Sequence, residues 1–488
     1  MEIIGSFILS IIQSILFYGK QIGISMLIFE VLCNGIILFI LNKKEKIQNK
    51  AGLWLMIPIL LLSSTYFIFA NKVFYVSNIF IILILNLIMY VVLTNPKGTL
   101  TSYLYKTVIL VLNSIADWTD GAELSKAKID DCTSGKNNKA DFKKIVKSLV
   151  IVCAVVGVVL ILLSSADSIF ANLFSGIGKI FDNINITSAF RLILRIAIII
   201  VVYFAVLSFI LKLQEETEDY ENDEKVQVKD TFTIKMLLVT LNIVYLVFCF
   251  IQIQSLFAKL NIDSFDYANY ARSGFFQLMF VSFINLAVIL ISNRYNTQKE
   301  RIIKVLNFML VVFTIIIAIS SMYRMHMYEM EYGLTYLRMF VYIILITEII
   351  AFVPIVKYIF DDKFDFMKWC FGICIGAYCI TNIMNLENII VSRNLTRESS
   401  KSIDYKYLSK IVSEDSYIVL EEKLQDENIE LQEKAAISDI LIKIKENEKT
   451  SSWQEFNISR MKIQKRRTNI QPIREESNDF IKYSNSIM

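Results

Sequence analysis

Histidine is almost missing from this chain: His326 is the single one in 488 residues. That scarcity leaves a His-based metal centre or a Ser–His–Asp triad within one chain almost nothing to draw on. Proline and glycine are also sparse, at 4 and 15 residues. No glycine loop that would cradle phosphate is present, no G-x-S-x-G elbow and no HExxH helix. The seven cysteines (Cys33, Cys132, Cys153, Cys249, Cys370, Cys374 and Cys379) contain no CxxC pair, and six of them sit in apolar runs. They read as small apolar filler rather than a disulfide framework. No catalytic set, no metal site and no cofactor is therefore predicted, and the chain leans away from being an enzyme. A net charge of +4, with no basic stripe interleaved with aromatics, excludes a nucleic-acid partner. The N-terminus has no basic region ahead of its apolar stretch, so no removable signal peptide is expected.

What the chain has in abundance is apolar length. Hydrophobic residues make up 55% of it, and the mean hydropathy is +0.52. They come in runs near the ~20 residues a helix needs to cross a bilayer core. Inside lipid the backbone must pair within each segment, so such runs are helices. The fold class predicted is all-α: a polytopic transmembrane bundle of about ten spans with a C-terminal soluble helical tail. Residues 1–21 form an amphipathic helix, interfacial or packed on the bundle. Residues 22–94 hold three spans, 95–145 a cytosolic loop beginning with an amphipathic helix, 146–386 seven spans, and 387–488 an extracytoplasmic helical tail. Pro58 and Pro354 are expected to kink their helices. In the tail, 404–424 and 429–447 read as helical, and Ser452 with Glu455 fits a capping box that opens a further helix.

The orientation comes from Lys and Arg in the connections. The odd-numbered connections are basic, the first alone holding Lys43, Lys44, Lys46 and Lys50, whereas the second holds Lys72 and the fourth Lys179. Odd-numbered connections then face the cytosol, and an even number of spans puts the tail outside it.

Of the ionisable residues inside spans, four stand out: Glu30, Arg191, Arg195 and Glu348. Each costs roughly 2.5–3.5 kcal/mol on insertion scales, so each needs a partner or a function. Glu30 and Arg195 lie at comparable depth, which predicts an ion pair between them. Glu348 has no evident partner in the sequence, which makes it the better candidate for an ion or proton path.

Four stretches go beyond what hydropathy requires. They are Leu163–Phe170 (LSSADSIF), Phe265–Phe276 (FDYANYARSGFF), Tyr323–Arg338 (YRMHMYEMEYGLTYLR), and the segment from Asn388 that includes Ser392-Arg393-Asn394, Asp404-x-x-Tyr407-Leu408 and Trp453–Arg460 (WQEFNISR). In this order they resemble a bacterial multi-pass membrane family known as domain of unknown function 4173, and its relative numbered 4153. The resemblance covers roughly residues 150 to 465 and brings no activity with it. All four stretches fall at outer span ends on the topology above. They predict a charged outer-face cluster of Asp167, Arg272, Arg324, His326 and Arg338 on which the tail docks.

Three functions fit these features. The first is an envelope-facing sensor, scaffold or partner-binding protein of the cell membrane, with the bilayer and an envelope or membrane protein as partners. The second is a transporter or channel using Glu30 and Glu348. The third is a membrane-embedded enzyme acting on lipid or cell-wall precursors, with Glu329, Glu331 or Asp167 as acid or base. A cavity at Glu348 would favour transport, and a lipid-sized groove at His326, Glu329 and Glu331 would favour catalysis.

Overall fold

A computed structural model describes residues 1–96, 98–116, 186–214, 231–257, 264–296, 299–361, 363–397, 403–427, 429–446 and 452–466, and every regular element among them is a helix. Nine of these helices are long and apolar enough to cross a membrane. They match nine of the ten expected spans; the other, the first of the seven expected in 146–386, lies outside the described residues. The chain is a multi-pass all-α membrane protein.

The helices fall into two compact units. One comprises Met1–Phe67, Ser77–Asp219 and Ser451–Phe456. Its helices are α1 (Glu2–Phe17), α2 (Ile24–Lys43), α3 (Met56–Ile68, entered through a 3-10 turn at Lys50–Leu55), α4 (Tyr75–Thr94), α5 (Leu100–Ala116) and α6 (Ile186–Gln214). At 16 residues, α1 rises about 24 Å, short of the ~30 Å bilayer core. It packs on α6 and α2, and the face it packs is the polar one. Ser6, Ser10 and Ser14 are buried, while Ile4, Phe7, Ile8 and Ile15 are exposed. A helix that turns serines inward and isoleucines outward is suited to lipid, not to water. The amphipathic helix expected after residue 95 forms as α5 and packs against α6, and Ser208 Oγ donates to the Ser114 carbonyl at 3.0 Å.

The turn before α2 is built on Gly23. Its neighbour Ile24 donates its N–H to the Phe456 carbonyl at 3.2 Å, and a Cβ on Gly23 would fall 2.6 Å from the Glu455 carbonyl carbon. Only glycine lets that segment approach so closely. The expected capping box does not form here. Trp453–Glu455 is a 3-10 turn, and Glu455 Oε1 accepts the Gln21 N–H at 3.0 Å instead. The helix that follows starts later, at Ile458, where Asn457 caps the Arg460 N–H at 3.2 Å.

The other unit comprises Ile68–Val76, Tyr220–Thr450 and Asn457–Met488. Its long helices are α7 (Phe232–Phe257), α8 (Ser264–Tyr295), α9 (Arg301–Tyr332), α10 (Tyr336–Phe360) and α11 (Phe366–Ile383). α10 continues through Pro354 as one helix. The outer faces are apolar: Ile243, Leu246 and Phe250 on α7 are each more than half exposed, a surface that belongs in acyl chains. Beyond α11 come the short helices α12 (Leu386–Leu395), α13 (Tyr405–Ile411), α14 (Tyr417–Leu424), α15 (Leu431–Glu446) and α16 (Ile458–Lys465). These fold as a small head around Val391, Leu408, Tyr417, Leu420, Ile437 and Leu441, all of them at most 1% exposed. Within this unit the two ends of the bundle differ. The head, the 68–76 segment and the α9–α10 turn share one end. At the other, Lys304 Nζ reaches the Phe360 carbonyl at 3.2 Å and Lys235 pairs with Glu300 at 2.6 Å.

Candidate functional site

The head is joined to two stretches of loop through backbone groups, which must be paired wherever they are buried. In the 68–76 segment, the Asp415 carboxylate accepts the Ala70 N–H at 2.8 Å and the Asn71 N–H at 3.0 Å. Asn457 Nδ2 donates to the Phe69 carbonyl at 2.7 Å, and Ser459 Oγ to that of Ile68 at 3.1 Å. Asn71 Nδ2 donates to the Tyr336 hydroxyl. In the α9–α10 turn, the Tyr336 N–H donates to the Tyr407 hydroxyl at 3.0 Å. Asn394 brackets Leu334 like a strand partner, accepting its N–H at 2.6 Å and donating to its carbonyl at 2.8 Å. Gly333 next to it has φ +82°, and a Cβ there would lie 2.5 Å from Asn394 Oδ1.

Two carboxylates lie in this joint, Glu387 buried and Asp415 half-buried. Glu387 is 0% exposed. Burial pushes its carboxyl up to about 7, against the lowering pull of its two hydrogen bonds from Ser413. Burial likewise raises Asp415 above its ordinary value, opposed by Ser459 and the two loop N–H groups. A small cavity of about 210 Å³ opens between the 68–76 segment and the head. Phe69 of the loop, Asn388 of α12, Glu414 and Asp415 ahead of α14, and Ser459 and Lys462 of α16 are among its walls.

A second polar corner lies where α9 ends. The buried Glu329 accepts from the Tyr342 hydroxyl at 2.9 Å and from Arg393 Nε of α12 at 3.3 Å, with His326 Nδ1 at 3.8 Å. Arg397 Nη1 donates to the Glu331 carbonyl at 3.0 Å. An apolar groove of about 690 Å³ runs from this corner along α9 and α10, lined by Met322, His326, Glu329, Tyr342, Ile346 and Ile350 among others. Glu331 is not among its walls.

Of the expected outer-face cluster, Arg338 donates to the Gly333 carbonyl and lies over the Tyr328 ring, its guanidinium carbon 4.2 Å from the centroid. Arg324 is buried in α9, and His326 is half-exposed beside Glu329. Asp167 lies outside the described residues, and for Arg272 the description covers the backbone of α8 only. Among the intramembrane residues, Arg191 is exposed and its carbonyl accepts from the Tyr18 hydroxyl at 2.8 Å. Arg195 donates from Nε to Ser14 Oγ at 2.8 Å and lies 5.5 Å from the Tyr18 ring centroid. The Glu30–Arg195 pair expected from depth is therefore corrected. Glu30 is held by neutral donors, Asn86 Nδ2 at 2.8 Å and Asn34 Nδ2 at 3.2 Å, and Tyr90 closes the set by donating to Asn34 Oδ1 at 2.7 Å. Comparable depth does not place two residues on facing sides of their helices, and these two turn to different neighbours.

Sequence reasoning singled out Asn394 and Tyr407 as motif members, and Gly333 within the Tyr323–Arg338 stretch, without assigning their contacts, and it missed Asn71, Glu387 and Asp415. One available signal was Gly333, directly after an amphipathic run: a glycine there is a common helix terminator. Nothing in spacing alone marks Asn71, because its partners lie far away in sequence.

Neither the curated proteins nor the solved structures include a match to this chain. Residues 56–423 match the family described as Domain of unknown function (DUF4153). The motifs had pointed first to 4173; the family that matches is the relative named beside it. The matched region runs from the start of α3 into α14, so it takes in most of the bundle and much of the head joint. The chain belongs to the DUF4153 family.

Proposed function

We propose that this protein is an envelope-facing sensor of the cell membrane, whose C-terminal head lies outside the cytosol and forms a ligand pocket together with the bundle's outer loop. The observation that carries this reading is how the 210 Å³ cavity is built. Its walls come from four stretches far apart in sequence, so its shape depends on the head being docked. A pocket that exists only in the docked arrangement couples its occupant to that arrangement. Glu414, Asp415 and Lys462 give it both signs of charge, which suits a small polar molecule carrying an acidic and a basic group. The sidedness rests on the basic connections: Lys235, Lys304 and Lys363 lie at the end of the unit opposite the head.

Two measurements test it. A single cysteine replacing Lys462 should react with a membrane-impermeant maleimide in intact cells. Amino acids and short peptides of envelope type, screened against the full chain by thermal shift, should yield a stabilising compound whose effect is lost in Ser459→Trp. Labelling only after the cells are opened, or no compound that depends on the pocket, would overturn the reading.

A second reading, an enzyme acting on lipid-linked precursors, is favoured by one feature. The apolar groove ends at a His326–Glu329 pair, as an acid–base couple at a lipid headgroup would require. Against it, Glu329 is already engaged by Tyr342 and Arg393. Loss of any lipid-modifying activity of the purified protein in His326→Gln would support it.

A further inference from the structure

Glu348 sits midway along α10, twelve residues from Tyr336 and twelve from Phe360, or about 18 Å of helix rise from either end. It is 6% exposed. Ser282 Oγ donates to its Oε2 at 2.7 Å, while Oε1 meets no donor among the described residues. Among those residues no cation lies within ion-pair distance of it. The charged residues of α7–α10 with described side chains otherwise lie towards the helix ends: Lys235, Arg294, Arg301, Lys304 and Lys357 at one, Arg324, Glu329, Glu331 and Arg338 at the other.

From Glu348 a line of buried polar side chains continues towards the basic end. Asn285, one turn along α8 from Ser282, donates to Thr314 Oγ1 at 3.0 Å and accepts from the Tyr245 hydroxyl at 2.7 Å. Further along, Ser292 donates to Asn307 Oδ1 at 2.7 Å, and Asn242 donates to the Leu306 carbonyl at 3.2 Å. Asn293 then reaches the Tyr358 carbonyl at 3.4 Å. Satisfied amides and hydroxyls of this kind can simply hold membrane helices together. This line, however, also carries orphaned atoms at successive depths: Glu348 Oε1, Asn242 Oδ1, Asn307 Nδ2 and Asn293 Oδ1. Each unpaired buried group costs stability, a cost that packing glue would avoid. Unpaired oxygen and amide groups along one seam, leading to a carboxylate at mid-depth, offer polar contacts of the kind a cation needs.

We propose that the α7–α10 seam is a path for a monovalent cation, with Glu348 as the site that neutralises its charge. The shared chemistry is one positive charge met by one carboxylate, supplied by a proton or by sodium. The proposal does not depend on the pocket in the head.

The test uses the full chain reconstituted in liposomes that contain a pH dye or a sodium indicator, with an inside-negative potential imposed. Cation entry above that of protein-free liposomes, lost in Glu348→Gln, is expected; the dye that responds identifies the ion. No entry of either ion, or entry unchanged in Glu348→Gln, overturns the proposal. Because that variant can fail to fold, the unmodified protein provides a second measurement. Dicyclohexylcarbodiimide, an apolar carboxyl reagent, should attach to Glu348 as read by peptide mass spectrometry. Added sodium or raised pH should protect the residue. Absence of the adduct at Glu348, or an adduct indifferent to both conditions, overturns the proposal as well.

Discussion

The carboxylate of Glu387 straddles Ser413, accepting its backbone N–H at 2.6 Å on one oxygen and its hydroxyl at 2.7 Å on the other. A single side chain, itself sealed from solvent, thus ties the start of α12 to the turn before α14.

The pH dependence of the head follows from that burial. The Glu387 carboxyl titrates at about 7 when folded, against an ordinary 4.5. A raised carboxyl contributes stability that is fully present below 4.5 and lost as pH rises through about 7. Asp415, also raised, acts in the same direction. The thermal midpoint of the detergent-solubilised protein should therefore fall as pH rises from about 4.5 to about 7 and level off above that, and Glu387→Gln should flatten that profile. A midpoint that rises across this range would contradict the assignment.

Asp415→Ala should release the 68–76 segment. Two loop N–H groups lose their acceptor, a cost of about 1–3 kcal/mol. Limited proteolysis should cut between Ile68 and Val76 faster than in the parent protein. Equal cutting rates would mean that Asn457 and Ser459 suffice to hold the segment.

At Gly333, φ +82° with ψ 173° is a conformation essentially reserved for glycine, and Asn394 occupies the space a Cβ would need. Gly333→Ala should cost at least about 1–3 kcal/mol, the usual range for a residue held in such a region. Asn394→Ala should cost less, since it removes only the two bonds to Leu334. Chemical denaturation of the two variants side by side checks the order.

For the intramembrane charges the expectation is negative. Glu30 is held by Asn34 and Asn86, and Arg195 by Ser14 and Tyr18, so exchanging the two charges should fail to rescue either single reversal. Glu30→Gln, which keeps an acceptor for the two amides, should change the thermal midpoint little. Restoration of expression by the double exchange would show a pairing that these contacts lack.

The bundle was legible in the sequence because its physics is local. A run of about twenty apolar residues must be a helix in lipid whatever its neighbours are, so Ile24–Lys43 and Tyr336–Phe360 could be placed to within a few residues. The failures came where a side chain had a choice of partner. Ser452 and Glu455 have the spacing of a capping box, yet Glu455 bonds to Gln21, more than four hundred residues away. Glu30 and Arg195 share a depth, yet rotation about their helix axes gives each a different neighbour. The amphipathic pattern of residues 1–21 was visible, but that its Ser6, Ser10 and Ser14 side would be the packed one was not.

By itself, then, the sequence determined the number and extent of most spans, the scarcity of catalytic groups and the motifs that mark the family, since each depends on composition within a short window. Only the tertiary structure decided that Asp415 meets Ala70 and Asn71, that Glu387 is sealed beside Ser413, and that Glu348 heads a seam with unpaired polar atoms. Those contacts join residues tens to hundreds of positions apart. Long-range partners are selected by the packing of whole helices, and no local pattern records that choice.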